Sequence, residues 1–123
     1  MKASERSTQI WAVLAWAARS RQNITYSQLA QVTGAFSGGL GAWLEPIQSY
    51  CIINKLPPLT VLVVQQETGM PGPGFTGASA EDLAKAQARV FAFKWLDHGN
   101  PGADKLELAV KQMPSNGKVR IAE

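Results

Sequence analysis

Thiol and imidazole chemistry is almost missing from this chain, which has one cysteine, Cys51, and one histidine, His98, among 123 residues. A single cysteine excludes an internal disulfide and fits a reducing compartment. One cysteine and one histidine also fall short of a structural zinc site of the usual kind. Cys51 lies on an apolar stripe with no base near it in sequence, the pattern of a buried small hydrophobe rather than a nucleophile. His98 follows Asp97 at an expected helix end, where an imidazole simply suits the dipole. No catalytic constellation stands out, so no enzymatic activity, cofactor or metal is expected.

Long hydrophobic runs are lacking as well. The longest uncharged stretch, residues 22–44, is broken by Gly34, Gly38, Gly39 and Gly41 and is no membrane span. The start, Met1-Lys2-Ala3-Ser4-Glu5-Arg6, carries no signal-peptide cleavage pattern, so a cytoplasmic protein without a membrane partner is expected. Cations are scarce where they would count. After Arg19 and Arg21 none appears until Lys55, and none again until Lys85, although the net charge is +3. Lys and Arg make most of the phosphate contacts that give DNA affinity, so this gap argues against tight DNA binding by the middle of the chain.

What is present suits one ordinary domain, with 46% apolar and 17% charged residues. Ile10, Trp11, Val13, Leu14, Ala17 and Ala18 recur at helical spacing and predict a helix from about 4 or 7 to 21. Thr25-Tyr26-Ser27-Gln28 reads as a capping box opening a short helix with apolar Leu29, Ala30 and Val32, which Gly34 stops. A glycine hinge precedes a second stripe, Leu40, Trp43, Leu44, Ile47, Tyr50 and Cys51, in which Pro46 should kink or restart the helix. The apolar run 59–64 predicts a buried strand after Leu56-Pro57-Pro58, and the Gly/Pro loop 65–77 follows. Ser79-Ala80-Glu81-Asp82 reads as a second capping box before a helix reaching His98. Residues 104–111 predict a last helical stretch anchored by Leu106 and Val110, within a C-terminal extension, 100–123, whose structure the sequence leaves open. A turn at 114–117 and an edge strand at 118–121 complete the reading.

In this order the elements spell a winged helix–turn–helix. The expected fold is α+β: one domain over 1–123, with helices at about 4–21, 25–34, 38–55 and 79–98 packed beside a small antiparallel sheet. Its core would join Trp11, Leu14, Leu29, Leu44, Ile47, Val61, Val63 and Phe91.

Residues 10–75 resemble the DNA-binding domain of O6-alkylguanine-DNA alkyltransferases and alkyltransferase-like proteins. The shared features are Ile10-Trp11, Thr25-Tyr26 followed by Gln28-Leu29-Ala30, the glycine-rich hinge, Leu56-Pro57, and the glycine-rich turn ending at Phe75. The family's Pro-Cys-His-Arg nucleophile run has no counterpart in 59–64, and its recognition-helix arginine is replaced by the small residues after Phe36. The resemblance therefore implies a winged-helix scaffold and nucleic-acid contact, not alkyl transfer.

Two functional readings follow. In the first, a non-enzymatic regulatory protein binds double-stranded DNA through Gln28, Gln31, Ser37, Gly38, Gly39, Gln65 and Gln66, with cationic help from Arg19, Arg21, Lys55 and the Lys85/Arg89 face. In the second, the low-charge face binds protein, a second copy or a larger partner, through Tyr26, Phe36, Trp43, Met70 and Phe75. Trp16, opposite the core stripe of its helix, stays open as a surface residue, while Trp95 is expected to pack. A third, remote reading is dinucleotide binding, because Gly72-Pro73-Gly74-Phe75-Thr76-Gly77 fits Gly-x-Gly-x-x-Gly, with Asp97 about twenty residues on. Pro73 and the gap after Val64 speak against it.

Overall fold

The computed structural model describes residues 2–34, 39–72, 75 and 78–113. Helix α1 (Ala3–Arg19) is followed by strand β1 (Ile24–Thr25), α2 (Tyr26–Thr33) and α3 (Leu40–Ile53). A 3-10 turn (Leu59–Leu62) leads into strand β2 (Val63–Val64), and after a second 3-10 turn (Ala80–Asp82) come α4 (Leu83–Ala92), α5 (Trp95–His98) and α6 (Ala103–Gln112).

The capping box is formed as its residue types dictate. Gln28 donates its amide to the Thr25 hydroxyl at 3.1 Å, and the Gln28 side-chain oxygen accepts from the Thr25 amide at 3.0 Å. Gly34 ends α2 in the left-handed region at φ 77. Two other helices end in the same way without glycine: Arg21 (φ 55) follows α1 and Lys55 (φ 56) follows α3. In each case the next amide reaches back five residues, Gln22 to the Ala17 carbonyl and Leu56 to the Cys51 carbonyl, which is the 6→1 bond of a Schellman cap. A cation here faces the negative pole of its helix, which offsets part of the strain a side chain meets in this conformation.

The winged helix–turn–helix with a small antiparallel sheet is not what the chain forms. Among the described residues the sheet has two strands of two residues each, and they run parallel, Ile24 beside Val63 and Thr25 beside Val64. The strand expected over 59–64 is mostly the 3-10 turn, with Leu59, Thr60, Val61 and Leu62 all buried where it meets α1, α3 and α4. A continuous apolar run is equally compatible with a buried strand and a buried helical turn, and here the preceding prolines and burial on every side favour the turn. The loop after it closes on itself: Gln65 donates to the Met70 carbonyl and Gly69 donates to Gln65, both at 2.8 Å. The described part of that loop thus supplies no antiparallel partner for β2.

Other boundaries moved for identifiable reasons. Pro46 neither restarts nor ends α3, which runs through it. The helix expected over 79–98 breaks at Phe93, whose backbone is extended, because the buried Trp95 indole donates to the Val90 carbonyl at 2.8 Å and pulls the chain back. Ser79 does not cap; its hydroxyl donates to the Asp82 carboxylate instead. The expected turn at 114–117 and strand at 118–121 lie outside the described residues.

The core gathers Ile10, Trp11, Leu14, Leu29, Leu44, Ile47, Val61 and Val63 as the pattern required, together with Leu40, Leu59, Val90, Trp95 and Leu106. Phe91 packs at its margin. Trp11 meets Tyr50 and Trp95 edge to face at 5.5 and 5.6 Å.

The caps give a matched pair of expectations. Gly34→Ala meets open space, so only backbone strain acts, and urea denaturation should show a loss of about 1 kcal/mol. Lys55→Gly relieves the same strain and should gain roughly 0.5–1 kcal/mol. Equal effects of one sign from both would refute this account of the caps.

Candidate interaction surfaces

The residues expected to read DNA do not converge. A recognition helix needs a solvent face, yet along α3 only Ala42 is exposed and Gly41, Trp43, Glu45, Tyr50, Ile52 and Ile53 are half-buried, while Leu40, Leu44, Pro46, Ile47, Gln48, Ser49 and Cys51 are buried on the sides that meet α1 and α6. Gly39 sits half-buried at the start of that helix. Ser37, Gly38 and Phe36 lie outside the described residues. Lys55 is exposed beyond the end of α3, Gln65 is held within its own loop, where its side-chain oxygen accepts from Thr68 at 3.2 Å, and Gln66 is exposed. Lys85 and Arg89 are exposed on α4.

The aromatic residues expected to meet a partner are largely committed inward. Tyr26 is half-buried, and its hydroxyl accepts the Gly72 amide at 3.3 Å; a Cβ on Gly72 would come within 2.8 Å of that oxygen. Burial pushes the Tyr26 phenol above its usual range, and the Gly72 bond only partly counters this. The same contact takes the first amide of the Gly-x-Gly-x-x-Gly segment away from any phosphate. Trp43 lies under the Arg6 guanidinium at 5.3 Å, while Arg6 also donates to the Thr33 carbonyl at 3.1 Å. The cation gap of the sequence is thus partly closed by a residue far upstream, which no local pattern announced. Phe75 packs on the core, and Met70 remains exposed.

Two hollows do bring expected residues together. The first is an apolar groove of about 600 Å³ between α1 and α2. Ala12, Val13, Trp16 and Ala17 line it from α1, Gln28, Gln31 and Val32 from α2, and Gln22, Asn23 and Ile24 from the segment between them, with the four amide side chains exposed. Among the described residues that line it none is charged. Trp16 is 64% exposed and Val32 63%, large values for apolar side chains lining one hollow. Of the three apolar residues of α2, Leu29 and Ala30 are buried, whereas Val32 points out.

The second hollow, about 540 Å³, lies between the end of α1 and the α4–α5 break. It unites Arg19 and Arg21 with Phe91, Phe93, Lys94 and Asp97. Lys94, Phe91 and Phe93 carried no functional signal in sequence, since only the break at Phe93 turns them toward the α1 terminus.

Burial drives the Cys51 thiol up to about 12, despite a backbone hydrogen bond at Leu59 that pulls the other way. His98 is exposed, with its ring 5.8 and 5.9 Å from those of Trp11 and Tyr50. Among the described residues no three His, Cys, Asp or Glu side chains gather, and no helix is long and apolar enough to cross a membrane.

Two expectations follow. The unfolded chain releases the Cys51 proton near the ordinary value of 9.0, but the folded protein holds it to about 12. Stability is therefore complete below pH 9 and falls as pH rises toward 12, and Cys51→Ala should flatten the early part of that fall in urea titrations. Tyr26→Phe strands the Gly72 amide and should cost about 1–3 kcal/mol in the same measurement. Comparison with protein-family models, curated proteins and solved structures finds no match, so the functional reading rests on this geometry alone.

Proposed function

We propose that this protein is a non-enzymatic interaction module whose α1–α2 groove takes an apolar segment of a protein partner. The observation that carries this is that two large exposed apolar side chains, Trp16 and Val32, line one hollow whose described lining carries no charge. Interface cores are depleted in charge and enriched in aromatic anchors, and tryptophan is prominent among residues whose truncation costs a complex most. The rim is built of side-chain amides, Gln22, Asn23, Gln28 and Gln31, which both donate and accept. Such a rim can satisfy a partner's backbone without demanding a charge, so the segment it suits is apolar and neutral. Asn23 is already bonded to Gln87 at 2.6 Å, which holds that end of the rim in place against α4.

Duplex DNA is the competing partner. The buried face of α3 leaves few side chains to enter a groove, and the exposed cations Arg19 and Arg21 lie elsewhere than Lys55. The protein reading is therefore the better supported.

A double variant, Trp16→Glu with Val32→Glu, replaces two exposed side chains and should leave the melting temperature nearly unchanged. Co-purification with the partner should weaken at least tenfold, as expected for loss of an aromatic anchor. The control Leu96→Glu, also at an exposed apolar residue, should retain the partner. Equal recovery by both variants, or tight and salt-sensitive binding of random duplex DNA by the double variant, would sink the proposal. Light scattering of wild type and double variant separates a second copy from a different protein.

A further inference from the structure

The hollow at the end of α1 shares no residue with the α1–α2 groove and has the opposite chemistry. Three cations, Arg19, Arg21 and Lys94, line it against one carboxylate, Asp97. None of the three cationic groups meets a hydrogen-bonding or ion-pairing partner among the described residues, whose ion pairs are Lys2 and Lys111 with Glu107. Unpaired guanidinium groups lining one hollow remain available to an anion, and their planar forks match phosphate oxygens two at a time. The remaining wall is aromatic. Phe91 and Phe93 are half-buried, and the Phe93 ring is braced by Trp95 at 4.4 Å, so its position is fixed before any ligand arrives.

We infer that this hollow binds a nucleoside phosphate, the phosphate on Arg19, Arg21 and Lys94 and the base against Phe91 and Phe93. A phosphate alone would need the cations and leave the aromatic wall unused. A neutral apolar ligand would leave the cations unpaired. A nucleotide uses both, and a volume of about 540 Å³ is within the range of small-ligand pockets. Aromatic side chains beside a cationic groove are also how single strands are held without sequence readout. The same chemistry is offered by a free mononucleotide and by one residue of a single-stranded nucleic acid.

Arg21 supplies a clean test. It stands in the left-handed backbone region at φ 55, so Arg21→Gly removes the charge and relieves strain, and folding should survive. Calorimetric titration with adenosine monophosphate and with adenosine is paired with anisotropy titration of a short single-stranded oligonucleotide and its duplex. For wild type, the monophosphate should bind at least tenfold tighter than adenosine, and on the oligonucleotide a fourfold rise in salt should weaken binding roughly eighteenfold if all three cations contact phosphate. Arg21→Gly together with Lys94→Ala should weaken either phosphate probe at least tenfold at a melting temperature no lower than that of wild type. Binding of the mononucleotide alone identifies a small-molecule site, and binding of the oligonucleotide alone identifies a single-strand site; both outcomes support the inference. Failure of both probes to bind, equal affinity for adenosine and its monophosphate, duplex preferred over single strand, or indifference to the double variant overturns it. Should the double variant unfold, amide shifts of the wild-type protein on adding the monophosphate decide the matter: they should centre on 93–97, and their absence there rejects the site.

Discussion

Every other helix leans on α1. That constraint explains why its residues are what they are. Ser4, Ser7, Ile10, Trp11, Leu14, Ala15, Ala17 and Ala18 are all buried, which wraps the apolar surface much further round than the single stripe of a surface helix. The small residues let neighbours approach closely, while Trp11 fills the space between α3 and α5. What remains of α1 in solvent is narrow, and its second half supplies both surfaces argued above: Ala12 and Trp16 to the α1–α2 groove, Arg19 to the hollow at the α4–α5 break. A central helix with so little free surface makes each exposed side chain informative.

Local rules were legible in the sequence, and tertiary competition was not. The capping box at Thr25, the glycine stop at Gly34 and the core stripe of α1 depend on neighbours a few residues away, and they are formed. The stripe of α3 was legible too, but the sequence could not say that the opposite side would be covered as well. That covering comes from α6, whose Leu106 is fully buried, from a segment that had looked like an extension. Once α6 takes its place, a helix that had been read as presenting itself to DNA becomes an interior element. The apolar run before β2 failed as a strand for a related reason: burial on every side removes the alternation that distinguishes the two structures.

The candidate surfaces show the same division. Trp16 could be seen to lie off the core face, because helical spacing alone says so. Its pairing with Val32 required the angle between α1 and α2. Arg19 and Arg21 were visible as cations at the end of the first helix, yet their aromatic companions come from seventy or more residues away, beside a chain break held by one buried indole. The residues at 10–11 and 25–30 that carried the sequence resemblance are occupied with packing and capping, and they explain architecture before any contact.

Pro46 has a dynamic consequence. Having no amide, it cannot bond to the Ala42 carbonyl, so the ladder of α3 lacks a rung just past its first turn. One residue further on, the Trp43 carbonyl accepts the Ser7 hydroxyl at 2.6 Å, from α1. The beginning of α3 is thereby tied to another helix at the point where its own ladder lacks a rung. Opening events should respect that division, with 40–43 and the start of α1 exchanging their amide hydrogens as one cooperative unit and 47–53 staying closed with α6.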